Sequence, residues 1–292
     1  MPRDALTVAP RSSGGAGRAA RTAEPGGSRS SRARRSARGW LIAVPGLALI
    51  ALWEIAVAAN VVSDRVLPPL TDVIAGIPHV VSDPSSRFFH HLGITLSEVG
   101  IGYAGAIVAG FAIGALIASS LTLRKILYPL VVVFEVIPKV ALTPVLIVGL
   151  GFGVSSKAAV AGLLAFFPIF INTMSGLDYP GKEGDVLLRA LGAGPLQRLR
   201  LYGIPRALPS VFAGLKVGLS MAFIGAIVAE LLTLQSGLGF LINSFKGQLR
   251  MDYAYGATLL VGLIGTVLFF AVELIERRVV FWTRDASREG TL

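Results

Sequence analysis

The stretch VGIGYAGAIVAGFAIGALIASSLTL, residues 99–123, carries no charged side chain over its 25 residues. About 20 apolar residues in a helix cross a hydrocarbon core roughly 30 Å thick, so this stretch can span a bilayer. Within it small residues return at every fourth position, at Gly102, Ala106, Gly110, Gly114 and Ala118. Gly214, Gly218, Ala222 and Ala226 repeat that spacing further along. Such a ridge gives a helix one smooth side, and close backbone approach is what holds helices together where lipid removes the hydrophobic drive. Both helices are therefore expected to pack within protein.

Working outward, hydropathy gives five more spans. Residues 40–59 carry only Glu54, and residues 126–150 carry Glu135 and Lys139 with Pro129, Pro138 and Pro144 marking kinks or a broken helix. Residues 158–177 and 253–272 have no charge, and residues 208–234 hold Lys216 and Glu230. The fold class is thus an all-α polytopic membrane protein with six transmembrane helices. Composition agrees: 53% of the 292 residues are hydrophobic and 15% charged, with a mean hydropathy of +0.70, whereas soluble domains are about a quarter charged. The absence of cysteine excludes disulfide scaffolds and thiolate chemistry. The three histidines, His79, His90 and His91, fall in one stretch, which argues against a multi-histidine metal site; the His90-His91 pair is read as exposed outside the membrane.

The net charge of +10 is uneven. Residues 1–39 hold nine Arg against Asp4 and Glu24, so the basicity belongs to a tail and implies no nucleic-acid partner. That tail has too few large apolar residues to offset its ordering entropy and is expected to be disordered. The favoured reading is a cytoplasmic extension touching anionic lipid; a cleaved signal or a transit peptide are the alternatives. The run at 40–59 is longer than the roughly 7–15 residues of a signal core. With the tail inside, the inner segments carry 20 Lys and Arg against 5 outside (Arg65, Arg87, Lys157, Lys246 and Arg250). The positive-inside bias then places both termini in the cytoplasm.

The connection at 178–208, between the fourth and fifth spans, is long for a loop and calls for a role. It reads as two short amphipathic helices, the first with Val186, Leu187, Ala190 and Leu191 on one face. Gly192, Ala193 and Gly194 break it, and Pro195 suits the first turn of the second. Such a platform fits a soluble partner, or else a helix pair lying on the membrane. Arg198 is read as a solvated rim charge. Gly176 to Lys182 imitates a phosphate-binding loop, but Glu183 replaces the needed hydroxyl and a span, not a strand, precedes it.

This loop resembles the signature of the inner-membrane permeases of binding-protein-dependent ABC importers. Anchored on Gly192, the ending falls on Tyr202-Gly203-Ile204-Pro205, while the Glu-Ala-Ala box falls on Val186-Leu187-Leu188 and is degenerate. Leu52-Trp53-Glu54, Leu67-Pro68-Pro69, Ile137-Pro138-Lys139, Gly151-Phe152-Gly153, Phe167-Pro168 with Asn172-Thr173, and Val228-Ala229-Glu230 with Ser236-Gly237-Leu238-Gly239 are similar to the sulfonate, taurine and nitrate branch. The resemblance implies a type I ABC importer permease fold and no covalent chemistry or cofactor of its own. It implies a location in the bacterial cytoplasmic membrane and four kinds of partner: an ABC ATPase subunit, an extracytoplasmic solute-binding protein, a second permease copy and membrane lipid. The domain organisation becomes a tail at 1–39, a permease domain at 40–280 with its coupling loop at 178–209, and a cytoplasmic end at 281–292. Val186, Leu187, Ala190, Gly192, Ala193, Gly194, Pro195, Ile204 and Pro205 are the expected ATPase contacts.

Ionisable and polar residues inside the membrane are the candidates for the translocation path: Glu135, Lys139, Asn172, Thr173 and Glu230. Two readings of Glu135 and Lys139 stand. At i, i+4 they neutralise each other, or Lys139 lines the path and attracts an anion. Asn172 and Thr173 serve equally well as interhelical glue. Glu230 continues the ridge that ends at Ala226 and is expected to face the bundle near its outer end. Lys216 and Glu54 lie near span ends, where side chains snorkel. Residues 237–249 place Leu238, Leu241, Ile242, Phe245 and Leu249 at helical spacing, as an outer gate element or an interfacial helix. The solute is expected to be a small anion such as a sulfonate, taurine or nitrate, with a neutral pyrimidine-like precursor as the alternative. An ion-coupled secondary transporter without an ATPase is the rival, although the internal repeats that many such folds carry are not evident.

Overall fold

The computed structural model describes residues 29–59, 61, 63, 66–118, 121–178 and 182–282. All regular structure among them is helical. What was expected of residues 1–28 and 283–292 lies outside the described residues. The chain divides into two compact units, residues 1–52 and residues 53–292.

The first unit's described part, residues 29–52, lies entirely in helix α1 (Arg29–Ala58). It starts well before Trp40, so residues 29–39 are helical where the tail was expected to have no structure. The run RSSRARRSAR contains neither Gly nor Pro, and Arg and Ala favour helix, so nothing stops the span from propagating toward its N-terminus.

The second unit is organised around three helices: α3 (Phe88–Ala118), α6 (Val154–Gly176) and α9 (Ile204–Thr233). Both small-residue ridges pack on α6. A side chain on Gly102 would run into the Ala158 carbonyl and Gly162, and one on Gly110 or Gly114 into Ile169, Phe170 and Thr173. From the other side Gly214 meets Pro168 and Asn172, Gly218 meets Ala165 and Ile169, and Gly225 meets Ala161. Ala161, Ala165, Ala222 and Ala226 are fully buried in the seam. The sequence ridges therefore do what small residues do in membranes: they bring three backbones close together.

The third expected span is broken. Helix α4 (Leu121–Val136) is bent by 76° at Pro138 from the stretch Lys139–Leu150, in which a 3-10 turn, Lys139–Leu142, leads into α5 (Thr143–Leu150) with Pro144 in its first turn. Helix α11 (Met251–Val279) closes the unit against α2 (Leu70–Ser82) and α10 (Leu238–Gly247). Helix α2 was not anticipated: its backbone starts at Leu70, whose N–H donates to Glu54 at 2.8 Å, while Trp53 donates to the Pro68 carbonyl at 3.1 Å. Glu54 therefore caps a helix and does not snorkel. Four described helices are long and apolar enough to cross a membrane, or five with the bent pair taken as one.

Two boundaries differ from the hydropathy reading. Helix α3 starts at Phe88 and not at residue 99, because its first turns carry polar side chains that are paired inside the protein. The second loop helix is not separate either. Helix α8 (Pro195–Arg198) runs through a π turn, Leu199–Gly203, straight into α9.

Candidate functional site: a loop elbow and a buried charge cluster

The loop elbow is built from helix α7 (Glu183–Ala190) and α8. Gly192 takes φ +82°, the Gly192 N–H donates to the Arg189 carbonyl at 3.0 Å, and the Ala193 N–H donates to Leu188 at 2.9 Å. This is a Schellman termination, which favours a residue without a side chain at the left-handed position. The Gln197 side chain then accepts the Gly194 N–H at 2.9 Å, and Pro195 sets the first turn of α8. Under the elbow lies Asp185, wholly buried, accepting a 2.7 Å charged bond from Arg198 and a 3.4 Å one from Arg189. Gly184 lets the Tyr202 ring sit against the helix, and the Tyr202 hydroxyl accepts from Arg206 at 2.6 Å. Arg198 is thus a clamp and not a solvated rim charge, because the buried carboxylate it neutralises has nowhere else to go. With its polar groups turned inward, the elbow presents apolar side chains outward: Val186, Leu187, Leu191 (74% exposed), Leu196 (76% exposed) and Leu201. Ala190, Gly192, Pro195 and Ile204 share this exposure, while Ala193, Gly194 and Pro205 are half-buried.

The residues nominated for the path are not brought together. Lys139 reaches Glu135 at 3.6 Å, donates to its backbone carbonyl at 2.9 Å and sits 4.4 Å from the centre of the Phe167 ring. Asn172 donates to the Pro168 carbonyl at 2.8 Å, with its Cβ against Gly214, and Thr173 is buried against Gly114. Both stand in the α3–α6–α9 seam. Lys216 does not snorkel; it pairs with Glu276 of α11 at 2.6 Å. An open groove of about 550 Å³ between α3, α5 and α6 is lined by apolar residues apart from Ser155.

Glu230 stands in a cluster the sequence did not reveal. Its two oxygens accept from the Thr95 hydroxyl at 2.6 Å and from the Gly239 N–H at 2.7 Å. Beside it lies Glu98, which pairs with Lys157 at 2.8 Å. Lys157 also donates to the Ser236 carbonyl at 3.0 Å and hydroxyl at 3.1 Å. The Leu238 N–H donates to Thr95 at 2.9 Å, and the Gly237 N–H donates to His91 Nδ1 at 3.1 Å. Glu98, Lys157 and Glu230 are at most 1% exposed. Lys157, counted above as an outside loop charge, is a buried ion-pair partner, and His91 is a buried acceptor and not an exposed ring. Both follow from α3 and α6 beginning a turn or more before the apolar runs that hydropathy detects. A signal existed: Glu98 lies four residues before Gly102, as Glu230 lies four after Ala226, so each ridge ends in a glutamate. Among the described residues no group of His, Asp and Glu could hold a metal ion. Outside the spans, Asp83 in the α2–α3 turn is held below the usual carboxylate range by hydrogen bonds from the Ser85 hydroxyl and N–H.

Long apolar helices seamed through small residues, with one broken span, mark a polytopic membrane protein. Residues 106–281 match the family described as the binding-protein-dependent transport system inner membrane component, and the chain belongs to it. It is similar to the formylaminopyrimidine transport permease protein ThiX of Halalkalibacterium halodurans, 31% identical over 82% of this chain and 94% of the relative. The putative aliphatic sulfonates transport permease of Bacillus subtilis is 28% identical over 88% of this chain and 92% of the relative. The nitrate import permease of Leptolyngbya laminosa is 26% identical over 85% and 95%. The chain is thus a multi-pass inner-membrane permease subunit of an ABC importer for a small solute, not an enzyme. The reading as an ion-coupled secondary transporter falls with this membership.

Proposed function

We propose that the chain forms the path of an ATP-driven importer as one of two identical copies. The bent α4–α5 pair and α1 would complete six spans, with both termini cytoplasmic. An ABC ATPase docks on the elbow through Val186, Leu187, Ala190, Gly192, Pro195 and Ile204, and a solute-binding protein delivers the solute outside. The observation that carries this is the elbow itself, a rigid polar base beneath an apolar surface that a monomer has no reason to expose. The test is pull-down of the ATPase, with its hydrolysis rate in the reconstituted complex. Gly192→Asp keeps the permease in the membrane yet loses both capture and stimulation; a variant that captures and stimulates normally removes the elbow from coupling.

For the solute, the lysines offer a guide. Lys139, Lys157 and Lys216 each sit beside a carboxylate. Their charge is spoken for, which favours a solute of low net charge, pyrimidine-like before sulfonate or nitrate. Uptake into proteoliposomes of labelled formylaminopyrimidine, taurine and nitrate separates these; nitrate uptake above the pyrimidine would reverse the order.

A further inference from the structure

We propose that Glu98, Lys157 and Thr95 are positioning residues that fix the N-terminal end of α10. The two ends of α10 are held by different physics. At the start, Ser236, Gly237, Leu238 and Gly239 each give or accept a hydrogen bond to a buried polar side chain on α3, α6 or α9. The Lys157 ammonium donates to both oxygens of Ser236 and forms an ion pair with Glu98 at 2.8 Å. Moving this end would strip partners from a buried cation and a buried carboxylate at once, so it moves entirely or not at all.

Beyond Gly239 the packing is mainly apolar, and Arg250 holds the far end: its N–H donates to the Phe245 carbonyl at 3.0 Å and its guanidinium lies 3.7 Å from the centre of the Tyr253 ring. Leu241 and Phe245 are buried against Val80, Phe88, Ala254 and Ala257 without hydrogen-bonded side chains between them. By residues 246–249 the chain is exposed, and Leu249 takes φ +59°. The entry to α10 is also sharply defined. Leu234 at φ +53° ends α9, and Gly237 at φ +103° lies so close to the Glu230 carboxylate that a side chain there would overlap it. The glycines of the Ser236–Gly239 stretch are thus needed for Glu230 to reach the backbone.

The test uses the full chain in nanodiscs, with spin labels on cysteines placed at Ile101 of α3 and Gln248 beyond α10. Both positions are exposed and the chain has no other cysteine. The distance between labels is read by pulsed electron resonance, and folding by thermal unfolding. Lys157→Met alone lowers the melting temperature. Lys157→Met with Glu98→Gln removes the pair together and recovers part of it, since Glu230 is still left without a cation, while the distance distribution widens at least twofold. Thr95→Val widens it as well, and Thr95→Ser, which keeps the hydroxyl, does not. A double variant or a Thr95→Val variant as narrow as the parent overturns the proposal. So does failure of both to fold, since the cluster would then be holding the bundle and not placing α10.

Discussion

Asp185 and Glu230 are both carboxylates with no exposure, yet they are neutralised in opposite ways. Asp185 draws two arginines from its own loop, Arg189 and Arg198, so an excess of cation surrounds it. Glu230 shares its surroundings with Glu98 and a single lysine, and leans on a hydroxyl and a backbone N–H at the start of α10. The first arrangement is local, with one half-exposed arginine that leaves solvent within reach. The second joins three spans and a connecting loop in a dry setting. A clamp of the first kind makes a small loop stiff. A clamp of the second kind makes distant segments depend on each other, and its failure cannot be absorbed by water.

That difference sets the order of expected effects. Lys157→Met leaves two buried carboxylates without a cation, and breaking a buried pair this way costs about 3–5 kcal/mol. The melting temperature in detergent should fall sharply, and membrane abundance with it. Lys157→Met at parental stability would mean that water enters the cluster and that the contrast with the elbow is illusory.

Next comes the seam that carries the cluster. Gly102→Ala sets a methyl against the Ala158 carbonyl and the Gly162 backbone, whereas Gly105→Ala, three residues on, meets nothing within 4 Å. Overpacking against backbone costs about 1–3 kcal/mol or more, and the exposed site should cost nothing or gain slightly from helix propensity. Thermal unfolding of the two variants side by side checks this. Equal stability would mean that α3 and α6 stand further apart than the ridge requires.

The unequal legibility of the two regions follows from the same physics. The elbow is contiguous: Gly192 to Pro195 stop one helix and start another by rules that act within six residues, so the break and its apolar face could be read directly. Arg198 was misjudged because its partner is thirteen residues back, beyond what periodicity reports. The ridges were legible because a four-residue repeat is a property of one helix. Thr95, Glu98 and Lys157 were not, since each polar residue is explained only by a partner on another span, and hydropathy assigns such residues to loops. Glu230 was found because it extends a ridge; the same extension applied at Gly102 would have found Glu98.

Arg198→Glu tests the local clamp. It sets a like charge on Asp185, with Arg189 at 3.4 Å as the remaining cation. An unsatisfied buried charge costs about 1–3 kcal/mol or somewhat more. Because the damage is confined to the loop, membrane abundance should hold while ATPase capture falls at least tenfold. Capture within twofold of the parent would return Arg198 to the role of a solvated charge.

The smallest effect on the chain itself, and the sharpest on its partner, is expected at Gly192. The left-handed backbone there costs an ordinary residue about 1–2 kcal/mol, but Asn tolerates it through its short polar side chain. Within the chain a Cβ at Gly192 meets no atom within 4 Å, so bulk alone harms nothing. Gly192→Asn should therefore leave the melting temperature nearly unchanged, and Gly192→Val should lower it modestly. If an ATPase surface closes over the elbow, both variants bring new atoms into that contact and both lose capture, including the one whose own fold is intact. Should Gly192→Asn capture the ATPase like the parent while Gly192→Val does not, the glycine serves the loop's backbone and not the contact. The apolar side chains Leu187, Leu191 and Leu196 would then be the residues to truncate.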